Sequence, residues 1–208
     1  MSTTDKVQWV FSSQNNQELT ERYDLWAKDY EQDLDEEFGY IGPEQAADVL
    51  VKYVPKDARI LDAGAGTGLV GEFLAQRGFQ NVEAIDISLG MLKQAEQKNI
   101  YQALYQGVLG EELDFPTASF DAVISVGVFT HGHVKSDAFD ELIRITKPGG
   151  YIVFTVSVGH YKNSNFDSKL TSLESAGKWS RVETTEPFLC HLKKDIGVQL
   201  QVWIYKIS

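Results

Sequence analysis

The sequence predicts an α/β fold built on a doubly wound, mostly parallel sheet. From residue 58 onward, short apolar runs rich in β-branched residues alternate with helical segments. The predicted strands cover residues 58–62, 82–87, 120–126 and 151–158, and the helices between them cover about 68–77, 88–98 and 136–147. Runs that are apolar at consecutive positions are typical of strands buried on both faces. Ligand loops are then expected at the carboxyl ends of the strands.

An acidic helical extension precedes the alternating region. Residues 1–40 contain ten acidic and three basic side chains, a balance of −7. One helical face carries Leu19, Tyr23, Trp26 and Tyr30 at steps of four, three and four, with acids opposite. A second amphipathic helix is predicted from residue 44 to 53, with Pro43 in its first turn. We therefore predict an N-terminal helical cap over residues 1–55.

The last part of the chain follows another pattern. A helix is predicted at 167–176, followed by extended runs at about 179–190 and 198–207. The final run alternates apolar and polar residues, which is typical of an antiparallel edge strand, and Gly197 fits a hairpin bend before it. Residues 147–150, Lys-Pro-Gly-Gly, predict a sharp turn before the strand at 151. We assign residues 58–158 to a core, residues 159–208 to a C-terminal helix and edge hairpin, and the whole chain to one domain.

Composition narrows the classes of partner and compartment. The 208 residues carry a net charge of −11, which repels polyphosphate and disfavours nucleic acid. The single cysteine, Cys190, excludes an intramolecular disulfide and a thiolate-rich zinc site. No apolar stretch reaches the roughly 18 residues of a membrane span, and the first residues lack signal-peptide features. We expect a cytoplasmic monomer or homodimer without a membrane or nucleic-acid partner.

A glycine-rich loop after the first strand is the sharpest local motif. Gly66, Gly68 and Gly71 satisfy the G-x-G-x-x-G pattern of dinucleotide sites. Asp62 ends the preceding strand, and two like charges about 4 Å apart cost about 4 kcal/mol at a dielectric near 20, which disfavours a pyrophosphate there. A ligand with an ammonium group, such as S-adenosylmethionine, makes the same interaction attractive. Asp86 ends the second strand, where an acid accepts hydrogen bonds from ribose hydroxyls.

Several motifs, which occur in the same order along the chain as in the family, resemble those of the class I S-adenosylmethionine-dependent methyltransferase superfamily. They are residues 61–68 (Leu-Asp-Ala-Gly-Ala-Gly-Thr-Gly), 84–88 (Ala-Ile-Asp-Ile-Ser) with 91–92 (Met-Leu), 119–123 (Ser-Phe-Asp-Ala-Val) and 145–150 (Ile-Thr-Lys-Pro-Gly-Gly). Residues 23–30 (Tyr-Asp-Leu-Trp-Ala-Lys-Asp-Tyr) and 126–133 (Val-Gly-Val-Phe-Thr-His-Gly-His) are similar to the Williams-Beuren syndrome-region methyltransferase-like group. The resemblance implies a Rossmann-like, seven-stranded sheet whose last strand is antiparallel.

The resemblance also implies a set of cofactor contacts for S-adenosylmethionine, whose product is S-adenosylhomocysteine. It assigns Asp86 to the ribose, and Ile87 and Met91 to the adenine. The loop residues Asp62, Gly64, Ala65, Gly66 and Gly68 are assigned to the methionine end, and Ser125 lies nearby. Many relatives have an acid after the glycine at the third strand, whereas this chain has Gly-Val-Leu at 107–109, which leaves a backbone contact to adenine there.

Candidate residues for the methyl transfer itself follow from its chemistry. An O–H or N–H acceptor must lose a proton, and a histidine ionising near neutrality can take it. His131 is the candidate base, the alternative being a structural hydrogen bond in its loop. Tyr23, Trp26 and Tyr30 are assigned to the cofactor, because aromatic faces attract a sulfonium and exclude water. The residues assigned to the acceptor are Tyr40, Phe129, His133 and Tyr161.

The sequence therefore favours an S-adenosylmethionine-dependent methyltransferase that acts on oxygen or nitrogen of a small molecule. Four histidines without a clear third ligand predict no metal site. Two alternatives stay open: a cofactor-binding regulatory protein without turnover, and an NAD-dependent oxidoreductase. Asp62 argues against the oxidoreductase, and no tyrosine is followed four residues later by lysine.

Overall fold

A computed structural model describes residues 2–130, 134–159, 166–193 and 197–208. Its α-helices are α1 (Thr3–Phe11), α2 (Asn16–Trp26), α3 (Tyr30–Asp33), α4 (Gly42–Leu50), α5 (Leu69–Gln76), α6 (Leu89–Gln97), α7 (Ala138–Ile145) and α8 (Phe166–Ser175). The strands are β1 (Ile60–Ala63), β2 (Val82–Asp86), β3 (Ala103–Gln106), β4 (Phe120–Phe129), β5 (Thr146–Ser157), β6 (Trp179–Thr184), β7 (Phe188–Leu189) and β8 (Gln199–Ile207). A π-helical turn, Leu34–Phe38, joins α3 to α4.

The sheet has the strand order β3-β2-β1-β4-β5-β8-β6. Strands β1 to β5 pair in parallel, and β8 pairs antiparallel with both β5 and β6. This confirms the predicted α/β sheet with an antiparallel last strand. The two-residue β7 pairs with β8 outside that path. Because the chain crosses from β3 at one edge to β4 beside β1, the carboxyl ends of β1 and β4 flank the switch point where α/β sheets bind ligands.

Two apolar clusters cover the two faces of the sheet. In β1 the alternation of Ile60 and Leu61 places one side chain in each cluster. The face of Ile60 packs against α4 and α5, including Leu50 and Leu74. The face of Leu61 packs against α7 and α8 through rings such as Phe139. Burial on both faces explains why these strands are apolar at consecutive positions.

A third cluster forms the N-terminal cap. Leu19 and Trp26, two of the four residues predicted to share a helical face, pack in this cluster with Leu34 and Phe38. The residues of the predicted face therefore do point to the same side. These four residues do not lie on a single helix, however, because the chain turns at residues 27–29 between α2 and α3. The amide of Asp29 donates to the carbonyl of Trp26 at 3.0 Å in this turn. Across this turn the Trp26 and Tyr30 ring centroids lie 4.8 Å apart.

Several segments differ from their predicted form. The four residues 147–150 lie within β5 as a bulge, since Phe120 and Ala122 pair with Thr146 and Tyr151. The predicted extended run at 179–190 is divided into β6 and β7. Residue periodicity alone did not predict α1 or β3. Within the described ranges, the structure contains no helix that is both long and apolar enough to traverse a lipid bilayer.

Candidate functional site

Two cavities meet at the carboxyl ends of the strands, beneath the N-terminal cap. The first has a volume of about 410 Å³ and the second of about 390 Å³. Both are lined by Tyr23, Tyr30, Gly64, Gly66, Val126 and Gly127. These six residues form the shared wall, which combines the glycine loop, the end of β4 and two rings of the cap. The two cavities are therefore immediate neighbours across these six residues.

Asp86 lies at the end of β2 and lines the first cavity. Its Oδ2 accepts a hydrogen bond from the Gly66 amide at 2.8 Å, and its Oδ1 accepts from the Ser88 amide at 2.9 Å. Burial raises the pKa of the Asp86 carboxyl above its ordinary value, and these backbone donors oppose that rise. Each carboxylate oxygen keeps acceptor capacity for a ligand hydroxyl. The side chain thus fixes the loop and faces the cavity at the same time.

Asp62 does not occupy the position that the electrostatic argument gave it. The carboxyl group is fully buried and lines neither cavity. Its Oδ2 accepts from the hydroxyl of Tyr101 at 2.7 Å, and Oδ1 has no hydrogen-bond partner among the described residues. Burial raises the pKa of Asp62 to about 7, with the Tyr101 hydrogen bond opposing the rise. The acid lies under the glycine loop rather than at its mouth.

The dinucleotide pattern of the loop has a packing explanation. A Cβ on Gly71 would lie 2.3 Å from the hydroxyl oxygen of Tyr101, and one on Gly68 would lie 3.0 Å from the same ring. Neither glycine lines the cavities. Gly66 differs, because a Cβ there meets no atom within 4 Å and would extend into open space. Of the three glycines in the pattern, Gly66 is thus the one left open to a ligand.

A bulge in β4 forms another part of the wall of the first cavity. Ser125 pairs with Phe154 and Phe129 with Val156, so residues 126–128 face Thr155 alone. Gly127 has a φ of 73°, and its amide donates to the Thr155 hydroxyl at 2.9 Å. Glycine adopts this left-handed conformation at little cost. The bulge carries residues 126–128 out of the sheet and into contact with the first cavity.

Apolar side chains from the segments after β2 and β3 complete the first cavity. Ile87 and Met91 follow β2, and Val108 and Leu109 follow β3. The first cavity also borders Glu111, Lys135 and Asp137. Together with Asp86 at the strand end, these residues make a slot with apolar faces and a hydrogen-bonding edge. Such a slot suits a planar base attached to a sugar.

The second cavity is mostly aromatic and apolar. Among its described lining residues none is Lys, Arg, Asp or Glu. Its rings come from the cap, and its polar groups are the side chains of Tyr23, Tyr30, Trp26, Tyr40, Thr67, Thr130, Ser157, Cys190 and His191. Burial raises the pKa of Tyr23 and Tyr40 well above the ordinary phenol value, so both stay protonated. This cavity therefore suits an uncharged ligand.

Several residues assigned from the sequence lie elsewhere. Ser125 is buried between strands, where its hydroxyl donates to the carbonyl of Ala63 at 2.7 Å. Phe129 is fully buried and stacks on Phe139 with centroids 4.4 Å apart, so it belongs to the core rather than to an acceptor pocket. Neither residue lines a cavity. The remaining three, His131, His133 and Tyr161, lie outside the described residues.

Comparisons with known proteins identify the fold that carries this site. Residues 61–154 match a family model described as a methyltransferase domain. Methyltransferase-like protein 27 of Homo sapiens is 40% identical over 165 residues, which span 76% of this chain and 66% of that protein. The chain belongs to this methyltransferase family. The aligned residues span two thirds or less of the curated relatives that the chain matches.

Solved structures share the fold of this methyltransferase family at low sequence identity. A SAM-dependent methyltransferase from Thermotoga maritima, described as a possible histamine N-methyltransferase, has a TM-score of 0.65 at 17% identity and covers 89% of this chain and 98% of its own. The [4+2]-cyclase SpnF has a TM-score of 0.72 at 16% identity and covers 93% and 96%. These similarities describe the fold alone. The family match leaves the oxidoreductase alternative without support.

Sequence reasoning missed three residues that shape the candidate site. Asp24 in α2 accepts through Oδ1 from the Ser88 hydroxyl at 2.5 Å and from the Gly90 amide at 2.7 Å, which joins the cap to α6. Tyr101 supports the glycine loop from beneath. His191 lines the second cavity from a segment without a motif. Among the residues that the structure describes, no three metal-ligating side chains gather into a metal site.

Proposed function

We propose that this protein is an S-adenosylmethionine-dependent methyltransferase acting on oxygen or nitrogen of a small, uncharged and largely apolar molecule. The observation that carries the proposal is the pair of cavities joined at one wall. The first has the features of an adenosine site, and the second has no charged carboxylate, ammonium or guanidinium among its described lining residues. A cytosolic location agrees with the single cysteine.

The first cavity fits the cofactor that the family uses. Asp86 retains acceptor capacity toward ribose hydroxyls, and Ile87 and Met91 offer apolar contact to a base. The open space at Gly66 lets a ligand approach the loop backbone, and α5 begins just beyond it. A helix N-terminus favours a carboxylate such as that of the methionine end. The departure at 107–109 leaves the adenine to backbone groups and to Leu109.

S-adenosylmethionine, when bound, supplies an activated methyl group on a positively charged sulfur. The chain's own contribution is to align an acceptor with that group and to keep water away. Tyr23 and Tyr30 lie in the shared wall, where ring faces attract a cation within about 6 Å. The apolar lining of the second cavity disfavours charged acceptors, because an unpaired buried charge is costly to desolvate.

A binding measurement tests the proposal. Calorimetry should detect S-adenosylmethionine and S-adenosylhomocysteine at micromolar affinity and should detect no NAD. Substitution of Gly66 by alanine should weaken cofactor binding by about tenfold or more, because the methyl group enters the first cavity. Gly78→Ala is the matched control: Gly78 also has a positive φ and open space at its Cβ, but it lies outside both cavities.

Three results would contradict the proposal. Binding of NAD in preference to S-adenosylmethionine would remove the methyltransferase assignment. Equal losses in Gly66→Ala and Gly78→Ala would assign the effect to backbone strain, which is similar at both positions. Cofactor binding without transfer of labelled methyl to any compound in a metabolite extract would favour the regulatory alternative.

A further inference from the structure

Of the four histidines in the chain, His191 is the one that lies among the described residues, so its position relative to a cavity is defined. It lines the second cavity, with its ring centroid 5.0 Å from that of Phe38 and 5.6 Å from that of Tyr40. The other three histidines of the chain lie outside the described residues, at positions 131, 133 and 160. His191 therefore brings an ionisable nitrogen base to a cavity that is otherwise aromatic and apolar.

Main-chain pairing fixes the position of His191. Residues 190–193 run antiparallel to residues 38–41, and Tyr40 and His191 form a bridge pair. The amide of Ile41 donates to the carbonyl of Cys190 at 3.0 Å, and the amides of Leu192 and Lys193 donate to the carbonyls of Gly39 and Phe38 at 3.2 and 2.9 Å. The C-terminal segment is thus part of the wall that the cap makes. Preorganisation of this kind suits a group that acts on a bound acceptor.

Tyr40 connects His191 with the shared wall. A Cβ on Gly127 would lie 3.3 Å from the Tyr40 hydroxyl oxygen, and Gly127 lines both cavities. The ring of Tyr40 also neighbours the imidazole. One aromatic ring therefore separates His191 from the wall where the two cavities meet. An acceptor that extends from this wall past the Tyr40 ring into the second cavity can approach the imidazole.

The other ionisable groups of the cavity retain their protons near neutral pH. Burial raises the pKa of the phenols of Tyr23, Tyr30 and Tyr40 above the ordinary value, and it raises the pKa of the Cys190 thiol to about 11. The Cys190 sulfur lies 3.5 Å from the imidazole Nδ1. Lys193, at the end of the paired segment, forms an ion pair with Asp35 at 3.2 Å. A neutral imidazole has one unprotonated ring nitrogen, which can accept a proton.

We propose that His191 accepts the proton that an O–H or N–H acceptor releases during methyl transfer. The inference rests on the methyltransferase function proposed above. A lone pair of the acceptor oxygen or nitrogen forms the bond to the methyl carbon, the carbon–sulfur bond breaks with its electron pair left on sulfur, and the acceptor's proton moves to a ring nitrogen of His191. The imidazolium then returns the proton to solvent. The sequence made His131 a candidate for this role, and His131 lies outside the described residues.

A spectroscopic test locates His191 without turnover. Protein carrying ¹³C-labelled histidine is saturated with S-adenosylhomocysteine, and the resonance lost in His191→Gln is assigned to His191. Phenol, a small uncharged O–H compound, should shift this resonance and its titration midpoint. Benzoate at the same concentration should shift it far less, because the cavity disfavours charge. An unchanged His191 resonance at saturating phenol would overturn the proposal.

A kinetic test addresses the proton transfer. Tritiated S-adenosylmethionine is offered with a defined set of phenols and primary amines. His191→Gln should lower kcat by about a hundredfold, within the range for loss of a general base. The affinity for S-adenosylhomocysteine should stay unchanged, and the rate on phenols should recover above pH 9, where phenols ionise without help. Lys193→Gln, the neighbouring control, should keep the wild-type kcat.

The possible failures are distinguishable. Wild-type kcat and pH profile in His191→Gln would overturn the role of His191, as would a pH-dependent loss confined to His131→Gln. If wild-type protein binds the cofactor yet labels none of the compounds, the proposed transfer to phenols and amines fails. The phenol-induced shift at His191 then still decides whether His191 faces an acceptor site.

Discussion

At the scale of single residues, Asp62 is an acid that the fold keeps close to neutral. Its pKa rises from an ordinary 3.8 to about 7 through burial. The folded state therefore holds a proton that the unfolded chain releases between about pH 4 and pH 7. By linkage, this group's contribution to the free energy of unfolding is fully present below pH 4 and is lost as the pH rises toward 7. The total loss is about 4 kcal/mol.

Replacement of Asp62 by asparagine should remove this pH dependence. The amide carbonyl can still accept from Tyr101, whereas no charge can form in the buried site. Relative to wild type, Asp62→Asn should gain stability as the pH increases from 5 to 8, as measured by urea unfolding at several pH values. A stability difference that is constant across this range would contradict the buried-acid account.

Asp121 provides a control of opposite sign. Burial opposes ionisation there, but hydrogen bonds from Lys147 at 2.7 Å and from the Arg59 amide at 2.9 Å lower its pKa below the ordinary value. Its contribution to stability is present above the ordinary pKa and is lost as the pH falls through the folded value. Asp121→Asn should therefore destabilise the protein near pH 7 and converge with wild type in acid.

The two acids near the carboxyl ends of β1 and β2 show what the sequence can and cannot predict about a site. Asp62 is the penultimate residue of β1 and Asp86 is the last residue of β2, and both were assigned to the cofactor from the motif. Asp86 meets the amides of the glycine loop and faces the first cavity. Asp62 is instead paired by Tyr101, which comes from the segment before β3. A contact between segments this distant leaves no periodic signal in the chain.

At the scale of elements, the Asp24 carboxylate joins helix α2 of the cap to the start of α6. Asp24 accepts from the Ser88 hydroxyl and the Gly90 amide at the start of α6. A Cβ on Gly90 would lie 2.8 Å from the Asp24 Cα, so the two helices approach closely there. Ser88 also donates its amide to Asp86. Asp24, which is next to Tyr23 in the sequence, is thus connected through Ser88 to Asp86, the acid that borders the first cavity.

Removal of this connection should loosen α2 and weaken the cofactor site. Hydrogen bonds to a charged group contribute about 1.5–3 kcal/mol each, so Asp24→Ala should reduce the affinity for S-adenosylhomocysteine by about tenfold. Hydrogen exchange should speed up along α2. Leu25→Ala is the control on the same helix, since Leu25 is 76% exposed. Similar effects of both variants would show that helix propensity, rather than the Asp24 contact, governs α2.

Elements differ in how far their sequences specify them. The periodicity and end signals of α6 predicted it closely: Ser88 caps it, with its hydroxyl accepting from the Met91 amide at 3.0 Å. β3, by contrast, is half-buried at Ala103 and Leu104 and exposed after them, so it lacks the apolar run of the inner strands. The segment that contains His191 likewise has no periodic signal in the sequence, because its position comes from pairing with residues 38–41.

At the scale of the whole molecule, the charge is unevenly placed. The net charge is −11, and residues 1–40 supply −7 of it. Those residues form the cap that lies over both cavities. Ligands approaching the site therefore meet a negative potential, which attracts cations and repels anions over roughly a Debye length of 10 Å at 0.1 M salt. The cofactor and its product experience this potential differently.

S-adenosylmethionine carries a net charge of +1, whereas S-adenosylhomocysteine, which lacks the sulfonium, is neutral overall. The two molecules are otherwise closely matched, so each serves as the control for the other. Stopped-flow measurements should show the association rate of S-adenosylmethionine falling by about threefold or more between 20 mM and 500 mM salt, as expected for electrostatic steering. The rate for S-adenosylhomocysteine should change little. If both rates fall equally, salt acts on the cap itself rather than on the approach of the ligand, and the acidic extension has no part in drawing in the charged cofactor.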